Sequence, residues 1–366
     1  MYVIEHLYLT PVSLKLKTSF DTAHQHMSTR KLAIINLIVK NVATDETKTG
    51  LGELQSFDDY RYTLEAQATS LDIIRNVISK HLKKLYFSSP RDFAKKLGEV
   101  MFFGSFAKSA IEMAVWDAYG KFIGKSLKTM IGGLHDDVPV SIALNINAGV
   151  PLIIDAIKKG YQRIKLKVDA ERTDFKFLLK ILCQFPNQQF SIDANSSFNY
   201  HNAKILNELP KNIAFIEQPF AENDFVDHGL FQAKSSQLLS LDESINNIHD
   251  VKTMIALKSA KALTIKQGKI GGITAALDAI ELCNQYNIQP WIGGMFSSNI
   301  GRSVDLALAS LSNITFSSDI SDSRRYFEKD VTQENFYVES GYITVPSRPG
   351  LGINLNESFT ISEIIF

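Results

Sequence analysis

From residue 137 onward the chain repeats one grammar, a short apolar run followed by a stretch with helical spacing. Strand-like runs fall at 138–144, 163–168, 189–193, 214–217, 238–242, 262–266, 289–292 and 314–316. Helix-like stretches fall between them at 151–158, 174–183, 202–209, 250–257, 274–286 and 303–311, with a short, partly helical segment after 217. Eight strands alternating with helices predict a parallel (β/α) barrel. An open doubly wound sheet shares this grammar, although no GxGxxG follows the first strand.

The strand ends are furnished alike. Lys167, Asp193, Glu217, Asp242 and Lys266 close five consecutive strands at separations of 26, 24, 25 and 24 residues, one βα unit each time. In a barrel this brings all five to the C-terminal rim, where such folds carry their chemistry. One carboxylate at a strand end is ordinary turn chemistry; three in register between two lysines are not. Converging carboxylates repel unless a cation sits among them, and an all-oxygen set favours Mg2+, with Mn2+ next. Such a site is suited to a small-molecule carboxylate that gains charge as a proton α to it is removed. Lys165 shares a strand face with Lys167. Two neighbouring ammonium groups disfavour each other's charge, a route to a lysine base. Taken alone, the pair would fit a solvated surface strand better; the strand ends around it reverse that.

The first 60 residues read as β-rich, with strands at 2–9 and 32–42 around a polar loop at 18–27. That loop carries His24 and His26, whose spacing could suit a metal but reads better as a loop tip. Residues 61–134 read as helical; alanines recurring through 106–122 imply close approach to another element. After 320 the barrel grammar stops, and 335–345 looks extended. Basic and acidic residues balance at 39 each, which argues against nucleic acid as a partner. No membrane span or secretory leader is expected, so the cytoplasm is the expected compartment. Cys183 and Cys283 lack CxxC partners and read as buried thiols.

These motifs resemble the enolase superfamily, in its muconate-lactonising subgroup. The likeness rests on Lys165-Leu166-Lys167, Asp193-Ala194-Asn195, Glu217-Gln218-Pro219, Asp242-Glu243-Ser244, and Lys266 followed by Gly271-Gly272. It extends to Ser109-Ala110-Ile111-Glu112-Met113-Ala114-Val115-Trp116-Asp117 and Pro349-Gly350-Leu351-Gly352. Trp291-Ile292-Gly293-Gly294-Met295, Ile300-Gly301-Arg302 and Ser323-Arg324-Arg325-Tyr326-Phe327 look like the o-succinylbenzoate synthases of the type that includes N-succinylamino acid racemases.

The resemblance implies a (β/α)7β TIM-like barrel at 131–320 under an α+β capping domain made of 1–130, with a tail at 321–366 packing back on the cap. Loops at 20–27 and 53–60 would close over the substrate. It implies a Mg2+-dependent syn dehydration to o-succinylbenzoate, with Asp193, Glu217 and Asp242 holding the metal. Lys167 would be the base and Lys266 a cation on the other face, while Lys165 tunes Lys167. Asn195 and Glu243 would orient the ligands, and Phe20, Met295, Ser297 and Ser298 would line the substrate pocket.

Two departures bear on specificity. Phe296-Ser297-Ser298-Asn299 stands where the family commonly has a glutamate-containing loop, and Gln267-Gly268-Lys269 where bifunctional relatives often read Pro-Gly-Arg. A lysine does not reproduce a bidentate guanidinium, so racemase activity is expected to be weak or absent while the dehydration is kept. A racemase or epimerase of N-acylated amino acids or dipeptides, a muconate-type cycloisomerase and a non-catalytic barrel are the alternatives. The sequence leaves room for a homo-oligomer.

Overall fold

The computed structural model describes residues 1–21, 26–145 and 149–366, with the side chains of 19–21 and 26 outside that description. Phe20 as a pocket side chain and His24 and His26 as ligands therefore lie outside the described residues.

An antiparallel hairpin of β1 (Tyr2–Asp21) and β2 (His26–Asn41) opens the chain, and β3 (Thr47–Leu54) adds to β2. The strands are longer than the sequence suggests: β1 runs on through Pro11, a residue that argues against a strand, and Val12, Leu14 and Leu16 continue the apolar alternation beyond it. One sheet face buries Leu7, Leu9, Ile35, Leu37 and Val39. Against it lie α1 (Pro90–Val100), started by Ser89 as N-cap and Pro90 in the first turn, and α2 (Ser105–Ile123). Helical structure begins earlier, at Gln67, so residues 61–66 of the expected helical stretch are not helical.

Helix α2 is the central beam, buried on nearly every side. Its alanines do what their spacing implies: a Cβ on Gly52 of β3 would come within 2.0 Å of the Ala110 carbonyl oxygen, and one on Gly50 within 1.9 Å of that of Ala114. Its acids tie other segments to it. Asp117 accepts from the backbone N–H of Leu51 and of Leu351, both at 2.8 Å. Glu112 accepts from Trp116 Nε1 at 2.9 Å and from the Thr274 N–H at 2.8 Å. Gly52→Ala should lower stability by about 1–3 kcal/mol through overpacking, checked by urea unfolding; a change within error would show that strand and helix separate freely.

After β4 (Asp137–Pro139) come the barrel strands β5 (Ser141–Asn145), β6 (Arg163–Lys167), β7 (Gln189–Asp193), β8 (Ile213–Glu217), β9 (Leu239–Leu241), β10 (Ala262–Ile265) and β11 (Gln289–Ile292), all parallel and in sequential order. The covering helices are α3 (Gly149–Lys158), α4 (Phe175–Gln184), α5 (Phe225–Gln232), α6 (Ile248–Leu257), α7 (Ile273–Gln285) and α8 (Asn299–Ala309). Asp174, Asp224, Asn247 and Ser298 cap α4, α5, α6 and α8.

Three expectations are corrected. Between β7 and β8 the expected helix at 202–209 is only a 3-10 turn, Ala203–Glu208, because Asn199 and Asn202 side chains bond nearby backbone N–H groups and favour turns. The eighth strand is not at 314–316. Phe316 packs its ring on Phe215 at 5.0 Å, and the ladder forms just after it. There Ser318 N–H donates to Pro139 O, Ser141 N–H to Ser318 O and Asp319 N–H to Ile292 O, at 3.1, 2.8 and 2.9 Å, closing the ring between β5 and β11. Cys183 lies on the outer face of α4 and is exposed, whereas Cys283 is buried.

The last residues touch both parts of the molecule. β12 (Tyr342–Thr344) pairs with β4, and β13 (Glu363–Ile364) adds to the edge of β1, where Arg75 grips Glu363 at 2.6 Å. The rest of 335–345 forms no strand. Among the described residues no helix is long and apolar enough to cross a membrane.

Candidate active site

Strand register levels the rim. Lys167 pairs with Asp193 across β6–β7, and Asp193 with Glu217 across β7–β8. Asp242 and Lys266 follow immediately after β9 and β10. Lys167 and Lys266 are four strands apart in a ring of eight, on opposite sides of one cavity that both line. Asp193, Asn195, Asp242, Glu243, Met295 and Ser297 line the same cavity.

The backbone leaving these strands is held in unusual conformations. Asn195 has φ +41° and Gln218 φ +39°, in the left-handed region that non-glycine residues rarely occupy. Gln218 makes that geometry do service: its Oε1 accepts from the Asp242 N–H at 3.0 Å and its Nε2 donates to Ser244 Oγ at 2.7 Å, fixing the next loop.

Each expected ligand is engaged by a lysine. Lys165 Nζ lies 3.1 Å from Glu217 and 3.6 Å from Asp193, and it also bonds Asp319. Lys167 Nζ lies 3.5 Å from Asp193 and donates to Asn195 Oδ1 at 3.2 Å; Asn195 donates in turn to Glu243 at 3.0 Å. Lys266 Nζ lies 2.6 Å from Asp242. Lys165 thus differs from the expected bare repulsion with Lys167. Burial opposes its charge, but Asp319, Glu217 and Asp193 outweigh that and hold its pKa well above the ordinary value.

The carboxylates feel one another. Burial, then Asp193 and Asp242, push the Glu217 carboxyl up to about 7 against the pull of Lys165 and Lys266. Burial and the same two aspartates push Glu243 up to about 8. Burial works against Asp242 also, but Lys266 and Lys269 prevail and hold it well below the usual carboxylate range. Asp242 Oδ1 is buried with no hydrogen bond. Among the described residues no three acids, histidines or cysteines stand together as a ready-made cage. The donor set nevertheless fits a hard dication: oxygen only, mutually repelling, with an acceptor atom left over.

Ser298 does not face the cavity as expected. It caps α8 and donates from its backbone to Glu53 Oε2 at 3.1 Å, so its side chain is spent on packing the N-terminal sheet against the barrel. Ser297 and Met295 do line the cavity, with Met27 beyond them. Gln55 Nε2 donates to Ser297 Oγ at 2.7 Å, and the buried Arg30 of β2 reaches the Met295 and Phe296 carbonyls at 3.4 Å.

Asp319 and Tyr62 escape sequence reasoning. Asp319, on the closing strand, binds Lys165 and, at 3.3 Å, Arg163, and lines the cavity. Its signal, an acid at the end of a strand, is hidden because Ser317 and Ser318 before it carry no apolar run. Tyr62 reaches down from the N-terminal part: its hydroxyl donates to Asp242 Oδ2 at 2.7 Å and accepts from Lys266, whose ammonium lies 4.7 Å from the ring centroid. It stands in a loop without periodicity. Tyr62→Phe keeps the ring against Phe57 and removes the hydroxyl. A fall in kcat of about tenfold with unchanged melting is expected; an unchanged kcat would reduce Tyr62 to a packing contact.

Comparison with known proteins agrees with this geometry. Residues 152–359 match the enolase C-terminal domain-like family, and residues 5–132 the N-terminal domain of mandelate racemase/muconate lactonizing enzymes. An o-succinylbenzoate synthase of Bacillus subtilis is 34% identical over 98% of this chain and 95% of its own length. An N-succinylamino acid racemase of Thermus thermophilus is 29% identical over 97% and 96%. A solved enolase-superfamily member from Listeria innocua superposes with a TM-score of 0.92 at 30% identity, covering 97% of this chain and 95% of that one.

Proposed function

Because the chain belongs to the mandelate racemase/muconate lactonizing enzyme family of the enolase superfamily, we propose that it is an o-succinylbenzoate synthase. It would dehydrate 2-succinyl-6-hydroxy-2,4-cyclohexadiene-1-carboxylate, supplying a menaquinone precursor. The observation that carries this reading is the placing of Lys167 and Lys266 across one cavity from each other, with carboxylates between them.

Lys167, held by Asn195, takes the proton from the carbon α to the substrate carboxylate. The electron pair moves into that carboxylate and gives an enediolate. Collapse of the enediolate breaks the bond to the ring hydroxyl on the same face; Lys167 returns its proton to the departing hydroxide, water leaves and the ring becomes aromatic. Lys266 stays protonated beside Asp242 and stabilises the charge from the opposite face. Asp193, Glu217 and Asp242 would hold Mg2+, with Mn2+ as a substitute, and that ion supplies positive charge to the substrate carboxylate as it becomes more negative. Tyr62 and Phe57 line the same cavity and would help to keep water from the reacting atoms.

Loss of diene absorbance on adding enzyme and Mg2+, abolished by EDTA and restored by Mg2+, is the expected result. No turnover by folded, Mg2+-supplemented protein would reject the reading. Racemisation of N-succinyl amino acids is the second reading, favoured by the same opposed lysines, one for each face of an α-carbon. Against it stands Lys269, whose ammonium is spent on the Asp242 carbonyl at 2.5 Å where an arginine would present a fork. Turnover of N-succinyl amino acids rivalling the dehydration would favour that second reading.

A further inference from the structure

The 296–299 loop contributes no acid to the cavity, and the first carboxyl after the seventh strand is Asp305, on α8. Asp305 lines the cavity and is only 5% exposed. Among the described residues, no hydrogen bond and no ion pair reaches its carboxyl. The other buried acids of that wall are all engaged: Asp193, Asp242 and Asp319 by lysines, and Glu243 by Asn195. Nor does the nearest guanidinium serve Asp305. Arg302, one helical turn earlier, donates to the Ser297 carbonyl and to Ser321 and Ser323, bonds Asn299, and faces Asp330 at 3.7 Å. A buried carboxyl aimed into a cavity with no protein partner is costly unless something bound there completes it.

We infer that Asp305 is a specificity-determining contact, whose carboxyl hydrogen-bonds an oxygen of the substrate arm remote from the reacting carbon. The inference rests on the proposed dehydration, in which that arm is a 4-oxo acid. Met295 and Phe296 line the same cavity and give its methylenes an apolar surface, and Asp305 meets its oxygen. The charges facing Asp305 decide which partner donates. Glu53 faces it from β3, Arg302 from its own helix and Lys266 from the end of β10, while Asp330 of the tail bears on Glu53 and Arg302. Burial, then Glu53, push the Asp305 carboxyl up to about 8, against Arg302 and Lys266. It therefore keeps its proton at pH 7 and donates. Above pH 8 it loses that proton, and an arm ending in a carboxylate meets a like charge.

Calorimetric titration of the Mg2+-loaded protein tests this without turnover, using o-succinylbenzoate and benzoate, which lacks the arm. At pH 7, Asp305→Asn, which keeps a donor, should bind o-succinylbenzoate as wild type does, and Asp305→Ala should bind it about tenfold more weakly or worse. Benzoate should bind all three alike. Raising the pH to 9 should weaken o-succinylbenzoate binding in wild type and leave it unchanged in Asp305→Asn. Equal binding of o-succinylbenzoate by Asp305→Ala and wild type, or an equal loss of benzoate, would overturn the inference while leaving the proposed reaction standing. If wild type binds no o-succinylbenzoate, the proposed reaction fails. N-succinylphenylalanine against N-acetylphenylalanine then makes the same comparison, and an Asp305→Ala variant that does not distinguish them overturns the inference too.

Discussion

Lys167→Ala should lower kcat by about four orders of magnitude, because in the proposed reaction the removed group is both the base of the first step and the acid of the second. The fold should be unaffected. The Lys167 side chain is 27% exposed and leans on Asn195 and Asp193 at the cavity edge, so its loss costs little packing. Lys266→Ala should cut kcat comparably for a different reason, and with a cost in stability. Lys266 is 9% exposed in its side chain and pairs with the buried Asp242 at 2.6 Å. Removing it leaves that carboxylate to Lys269 and Tyr62 alone. Single-turnover kinetics and urea unfolding of both variants separate the two roles. A Lys167→Ala enzyme retaining a tenth of wild-type kcat would remove Lys167 from the chemistry.

Asp319→Ala should cost about 3–5 kcal/mol of unfolding free energy, the usual penalty for deleting one partner of a buried ion cluster. Asp319 receives Lys165 on one side and Arg163 on the other, and Arg163 is fully buried against the stacked rings of Phe215 and Trp291, 4.8 and 4.6 Å from their centroids. Without the carboxylate, two cations remain near the barrel axis with only Glu217 and Asp193 to offset Lys165. Activity should fall as well, since Lys165 would then draw harder on those two metal-binding candidates. Urea unfolding measures the first effect and Mg2+ titration the second. A loss below about 1 kcal/mol would show that the Arg163 bonds to Ser317 O and Ser191 suffice to hold the closing strand.

The rim was legible because its residues obey a ruler: one βα unit of chain returns each strand end to the same level, and charge is conspicuous there. Asp319 was not, because its strand carries no apolar run of its own. Ser317 and Ser318 look like a loop, while the apolar Phe316 just before them packs its ring on Phe215 instead of joining the ladder. Tyr62 and Asp305 were illegible for another reason. One sits in an aperiodic loop and the other in an ordinary helix, and only the folded molecule shows that both reach the same cavity. The lysine pair was seen, but not its company. Sequence proximity suggested mutual repulsion between Lys165 and Lys167, whereas three carboxylates from three other strands settle the charge of Lys165.

The seam between the two halves bears on how such proteins can be recombined. Glu53 and Gln55 of the N-terminal part, with Arg30, hold the 295–298 loop of the barrel by its side chains and its carbonyls. This wall of the cavity is therefore shared property, written half in one module and half in the other. A chimaera that joins this barrel to the N-terminal half of a relative inherits a loop without its moorings. Specificity would transfer between family members only when residues 30, 53 and 55 travel together with the loop they hold.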